Sequence, residues 1–149
     1  MRYSILFSTL IVILFSCNKN KFNTVPSLKI TSVNTSVVHP GENLIFKLAF
    51  TDAEGDLLGD SALFVQEKVL NCNKPGSGFK APYRLPTFST TKNQEGELIV
   101  SFGYNNSYGQ ALSAPKCFKN DTAVFRFALR DQAKHVSDTI VSDKIVITL

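Results

Sequence analysis

The sequence contains no tryptophan, one methionine, two histidines and three cysteines in 149 residues. His39 and His135 alone supply too little imidazole for a histidine-based zinc centre or a network of catalytic bases, and the cysteines are too few and too scattered for haem attachment. Lys and Arg outnumber Asp and Glu by 16 to 12, yet no basic run is longer than Lys19-Asn20-Lys21. A net charge of +4 spread so thinly leaves no nucleic-acid footprint, so nucleic acid is not an expected partner. A sustained helical period and a Gly-x-Ser-x-Gly elbow are both absent. What is there, 44% hydrophobic and 19% charged residues, is the composition of one globular domain.

The N-terminus opens with Arg2 and an apolar stretch from Ile5 to Phe15 broken only by Ser8 and Thr9. It stops at Ser16-Cys17 and gives way to polar Asn18-Lys19-Asn20-Lys21. A spanning helix needs about 20 apolar residues, so this shorter segment reads as a secretory signal covering residues 1–16. Leu14-Phe15-Ser16-Cys17 resembles the lipobox of bacterial lipoproteins. That resemblance implies that Cys17 receives a diacylglyceryl thioether, becomes the new N-terminus and anchors an exported chain at the bacterial cell envelope, in the outer membrane. Each acyl CH2 in the bilayer contributes about 0.8 kcal/mol, so two or three chains hold durably. Residues 17–26, polar and ending in Pro26, then form a flexible tether, and residues 27–149 form the domain.

From Ser27 onward apolar residues alternate, most cleanly at Leu44, Phe46, Leu48 and Phe50, at Leu98, Val100 and Phe102, and at Phe125, Phe127 and Leu129. A period of two predicts strands at 28–33, 44–52, 62–70, 97–104, 122–131 and 139–149, with an irregular middle at 80–90. Turn clusters rich in Gly, Pro, Asn and Asp separate them. An all-β, immunoglobulin-like antiparallel β-sandwich of about seven strands follows. In that topology the connection after 44–52 and the one after 122–131 share one end of the sandwich. Cys72 follows the strand at 62–70 and Cys117 precedes the one at 122–131, so the two meet at the opposite end and are expected to form a disulfide.

The sharpest chemical signal is Asp52-Ala53-Glu54-Gly55-Asp56-Leu57-Leu58-Gly59-Asp60, with four carboxylates in nine positions on a basic chain. Asp131 arrives at the same end of the sandwich. Carboxylates this dense repel unless a counter-charge offsets them, and Ca2+ binds six to eight oxygens on flexible loops. Asp52, Glu54, Asp56 and Asp131 are the candidate ligands; Asp138 and Asp143 lie in or near the last strand, whose register decides whether they come close. The order departs from the EF-hand. The Asp-Ala-Glu-Gly-Asp stretch resembles the loop following a strand in bacterial PKD-like and cadherin-like sandwich domains, which implies a calcium site. The alternative is a solvated turn in which Gly55 takes a positive φ, Asp52 caps the backbone, and Arg130 or Lys134 neutralises the rest.

Paired carboxylates also hydrolyse glycosides, but a small sandwich with short loops offers little room for the cleft that such an enzyme needs, and no enzyme is expected. Tyr83, Tyr104 and Tyr108, with Asn105, Asn106 and Gln110 nearby, mix aromatic faces with amides and make a glycan-binding surface the alternative role. His39 and His135 read as solvated loop residues. Three triplets, Asp60-Ser61-Ala62, Asp121-Thr122-Ala123 and Asp138-Thr139-Ile140, resemble the O-glycosylation signal of exported Bacteroidetes proteins, and equally suit turns that open strands. The whole mature chain is similar to the small, single-domain, Ig-like lipoproteins of that phylum. This implies a non-enzymatic role in adhesion or scaffolding, with an envelope protein or a glycan as partner.

Overall fold

A computed structural model describes residues 22–57, 62–86, 89, 91–107 and 109–149. The leader, Cys17, Tyr108 and the first two residues of the triplet at 60–62 lie outside the described residues. The strands are β1 Ser27–Val33, β2 Val37–Val38, β3 Asn43–Asp52, β4 Ala62–Val69, β5 Phe79–Arg84, β6 Gln94–Gly103, β7 Gln110–Ala111, β8 Asp121–Arg130, β9 Ile140–Val141 and β10 Ile145–Ile147. One sheet runs β1-β3-β6-β7; the other runs β2-β10-β8-β4-β5, with β9 also on β8. The chain is a β-sandwich, and the described residues contain no helix.

The expected all-β sandwich is present, and its described residues form ten strands in mixed sheets where about seven antiparallel ones were expected. The long strands do pair antiparallel, but β2 joins β10 and β7 joins β6 in parallel, each through a two-residue ladder at a sheet edge. The irregular middle contains β5, paired with β4 from Phe79 opposite Glu67 to Arg84 opposite Ala62. Pro82 fits there because an edge strand has a side that needs no ladder donor.

Alternation builds the core. The inward residues of β3 (Leu44, Phe46, Leu48, Phe50), β6 (Leu98, Phe102) and β8 (Ala123, Phe125, Phe127, Leu129) are buried. Phe46 sits at the centre, with ring centroids 6.2 Å from Phe102 and 5.1 Å from both Phe125 and Phe127. Gly96 lies opposite Phe50, and a Cβ there would stand 2.9 Å from the Phe50 ring, so the missing side chain makes room for the aromatic one. The Cys72–Cys117 disulfide is present, with Cα atoms 5.9 Å apart, and it staples the end of β4 to the approach to β8. At the same end the Tyr104 hydroxyl donates to the Thr148 carbonyl at 2.6 Å.

One inward position on β4 breaks the apolar pattern. Glu67 is 2% exposed; its Oε2 accepts from the Ser113 amide at 3.2 Å, and its Oε1 has no partner among the described residues. Burial drives its carboxyl up to about 7 from 4.5, opposed by the Ser113 bonds and reinforced by the charge of Asp121. The folded state therefore holds a proton that the unfolded chain has released between those two values. Stability from this group is complete below pH 4.5 and is lost as pH rises through about 7, a loss of about 3 kcal/mol in all. Glu67→Gln keeps the shape and removes the titration. Urea denaturation should find the variant more stable than the parent at pH 8 and no more stable at pH 4; parallel pH profiles would refute this account of Glu67.

Candidate metal centre

β3 and β8 carry their alternation one step past the last apolar residue, so the inward slot after Phe50 falls to Asp52 and the one after Leu129 to Asp131. Both are buried, at 0% and 2% exposure. The loop leaving β3 folds back through Gly55, whose φ of +71° is a left-handed value that glycine tolerates. A Cβ at Gly55 would also collide with the Thr91 carbonyl oxygen. Leu57, fully buried, pins the far side of the loop into the core and presents Asp56 to the same end. One carboxylate oxygen from each of Asp52, Asp56 and Asp131 lies within 4.8 Å of the others.

Much of the turn reading is also present. Asp52 Oδ2 accepts from the amides of Gly55 at 2.7 Å and Asp56 at 3.2 Å, while Asp56 Oδ2 accepts from Ala133 at 3.1 Å. Asp131 Oδ1 accepts from the His135 amide at 2.7 Å, and its Oδ2 lies 2.9 Å from His135 Nδ1. The expectation that Arg130 or Lys134 supplies the counter-charge does not hold for Arg130, whose guanidinium lies over the Phe64 ring at 5.2 Å. His135, expected as a solvated loop residue, partners Asp131 instead. His39 also has a neighbour, its Nδ1 lying 3.2 Å from Thr148 Oγ1.

Turn hydrogen bonds leave a remainder. Asp52 Oδ1 is buried with no hydrogen-bond partner among the described residues. Directly across the β3–β6 ladder stands Gln94, 7% exposed. Its Nε2 donates to the Ser89 carbonyl at 3.2 Å, and its Oε1 is likewise buried and unpartnered. Opposed residues have Cβ atoms about 4.5–5.5 Å apart, so the two residues that carry these oxygens are neighbours across the ladder. Burial raises the Asp52 carboxyl above its ordinary 3.8; the two amide bonds oppose this, and the charges of Asp56 and Glu54 add to it. With no counter-ion, ionising Asp52 therefore costs stability as pH rises above 3.8. A cation reverses that sign. These residues could hold a metal, all their donors are oxygens, and that set suits a hard ion.

Glu54 is exposed and stands outside the three-carboxylate group. Asp138 and Asp143 are exposed and outside it as well. Of the aromatic surface, Tyr104 is 2% exposed and turned inward, so its ring offers no face to a sugar, and Tyr83 is half-buried. Gln94 and His135 are the members of the site that sequence reasoning missed.

No known family profile and no curated protein matches the chain. Among solved structures it is similar to the sporulation control protein Spo0M of Bacillus subtilis, at 10% identity and a TM-score of 0.46, over 84% of this chain and 50% of that one. It is also similar to a Niemann-Pick type C2 protein from the Japanese carpenter ant, at 10% identity and a TM-score of 0.47, over 83% and 93% of the two chains. A third is the Pseudomonas fluorescens alkylpurine DNA glycosylase AlkC, at 10% identity and a TM-score of 0.45, of which the chain spans 31%. The chain thus spans half the length of Spo0M and less of AlkC. Likeness at this level assigns neither family nor activity.

Asp131 organises the turn after β8 with or without an ion. Asp131→Ala strips the His135 amide and ring of their acceptor and should cost about 2 kcal/mol in urea denaturation with EDTA present. A loss below about 0.5 kcal/mol would show that the turn is held by something else.

Proposed function

We propose that the chain is an exported, lipid-anchored, non-enzymatic domain of the bacterial cell envelope, of the Ig-like, PKD/cadherin-like kind, whose loop end is locked by Ca2+. Its role is adhesion or scaffolding within an outer-membrane complex. The observation that carries the calcium reading is Asp52, fully buried with one oxygen orphaned beside Asp56 and Asp131. Export is supported by the Cys72–Cys117 disulfide, since such bonds persist in oxidising compartments, and by the lipobox resemblance at Cys17.

The geometry gives this reading an orientation. Ser27 pairs with Thr51, and the Asn23 carbonyl accepts from the Ala53 amide at 3.1 Å, so the chain enters at the carboxylate end. The segment expected as a tether is docked by then, with Pro26 buried. An anchor at Cys17 would hold the calcium end towards the membrane, with the disulfide end about 30 Å further out along β3. A rigid calcium-clamped base under a presented tip suits a spacer or scaffold. The glycan alternative has lost Tyr104 to the core.

Thermal melts test the calcium lock. At a Ca2+ concentration 100 times the Kd, binding to the folded state alone adds about 2.7 kcal/mol, which raises the midpoint by roughly 10 °C over the EDTA sample. Asp52→Asn should abolish that rise while still melting cooperatively. An unchanged midpoint at millimolar Ca2+ would remove the calcium reading, and an unmodified Cys17 in the intact mass of envelope-extracted protein would remove the lipid anchor.

A further inference from the structure

The gap between the sheets is treated differently along its β5–β6 side. Towards the disulfide end it is sealed: the Leu112 amide donates to the Gly103 carbonyl, and the Ser113 amide is gripped by Glu67. Next to that seal it opens into a cavity of about 300 Å³. Its walls include Leu63, Leu85, Leu98, Val100 and Phe102, with Tyr83 and Arg84 from the edge strand and the polar Ser101 and Gln110. The Tyr83 hydroxyl is buried and has no partner among the described residues. A buried tyrosine hydroxyl ordinarily finds an acceptor, and a bound molecule would supply one here. Burial pushes the Tyr83 hydroxyl above its usual 10, which keeps it a donor at neutral pH.

We infer that this lateral cavity is a binding site for a small apolar molecule ending in an oxygen acceptor, with the chain between the sheets and the acceptor on Tyr83 Oη. The volume lies at the small end of the range for ligand pockets, about 300–1,000 Å³. The apolar part of the wall, from Leu63, Leu85, Leu98, Val100 and Phe102, suits a hydrocarbon chain. Arg84 is the one charged side chain among the described wall residues. The site is separate from the carboxylate cluster and stands whether or not calcium binds.

The test uses the purified chain carrying Cys17→Ser and takes decanoate, below its micelle-forming concentration, as the probe. In amide NMR titrations decanoate should saturate, with shifts centred on Leu63, Tyr83, Leu98, Val100 and Phe102. Decyltrimethylammonium, which has the same chain and no acceptor, should bind at least 10-fold more weakly. Val100→Trp fills the cavity and should abolish binding; Tyr83→Phe, the gentler change, should weaken it by about 5- to 10-fold, as expected for one lost hydrogen bond. Shifts centred elsewhere, no saturation, equal affinity for the ammonium probe, or unchanged affinity in Tyr83→Phe would each overturn the proposal. Running the titration in EDTA and again in Ca2+ separates its failure from that of the calcium reading.

Discussion

The two-residue period of the long strands is the constraint on which the rest of the molecule depends. On β3 it places Leu44, Phe46, Leu48 and Phe50 inward and then, without a change of register, Asp52. On β8 it places Ala123, Phe125, Phe127 and Leu129 inward and then Asp131. A strand cannot rotate its last side chain outward without slipping every preceding one off the core. The apolar burial in the middle of the sandwich therefore holds carboxylates at its rim in surroundings that penalise their charge. Backbone amides from the loop and from the turn after β8 meet part of the demand, and the proposed cation would meet the rest.

The two ends of the sandwich answer to different chemistry. The end that receives the N-terminal segment is acidic, and its loops are arranged around carboxylate acceptors. The far end is closed covalently and by neutral bonds, through Cys72–Cys117 and the hydroxyl of Tyr104 on Thr148. Between them the sheets meet tightly around Phe46 but part along the side of β5 and β6, where the cavity lined by Leu63, Tyr83 and Phe102 opens. Stability, a candidate ion and a candidate ligand thus occupy three separate parts of one small fold.

The fold was legible in the sequence wherever apolar alternation was long. β3, β6 and β8 follow from it, and with them the meeting of Asp52, Asp56 and Asp131 and the pairing of Cys72 with Cys117. The short ladders β2 and β7 were not legible, because two-residue strands carry no period and pair only because the chain passes an open edge. β5 was hidden by Pro82. Gln94 sat in an apparent turn cluster and is recognisable only once the register sets it opposite Asp52. His135 is tied to Asp131 by the turn between them, a local geometry that residue types alone do not specify. Tyr104 looked like the end of a hairpin because Asn105 and Asn106 follow it; its hydroxyl instead reaches the C-terminal strand.

The central claim is that the inward carboxylates are complete only with a divalent cation, and anomalous diffraction from crystals grown in saturating Ca2+ tests it most directly. The account predicts a peak bonded to oxygens of Asp52, Asp56 and Asp131 at about 2.3–2.6 Å. Featureless density there, or a water molecule or a lysine ammonium among the three carboxylates at full Ca2+ saturation, would contradict it.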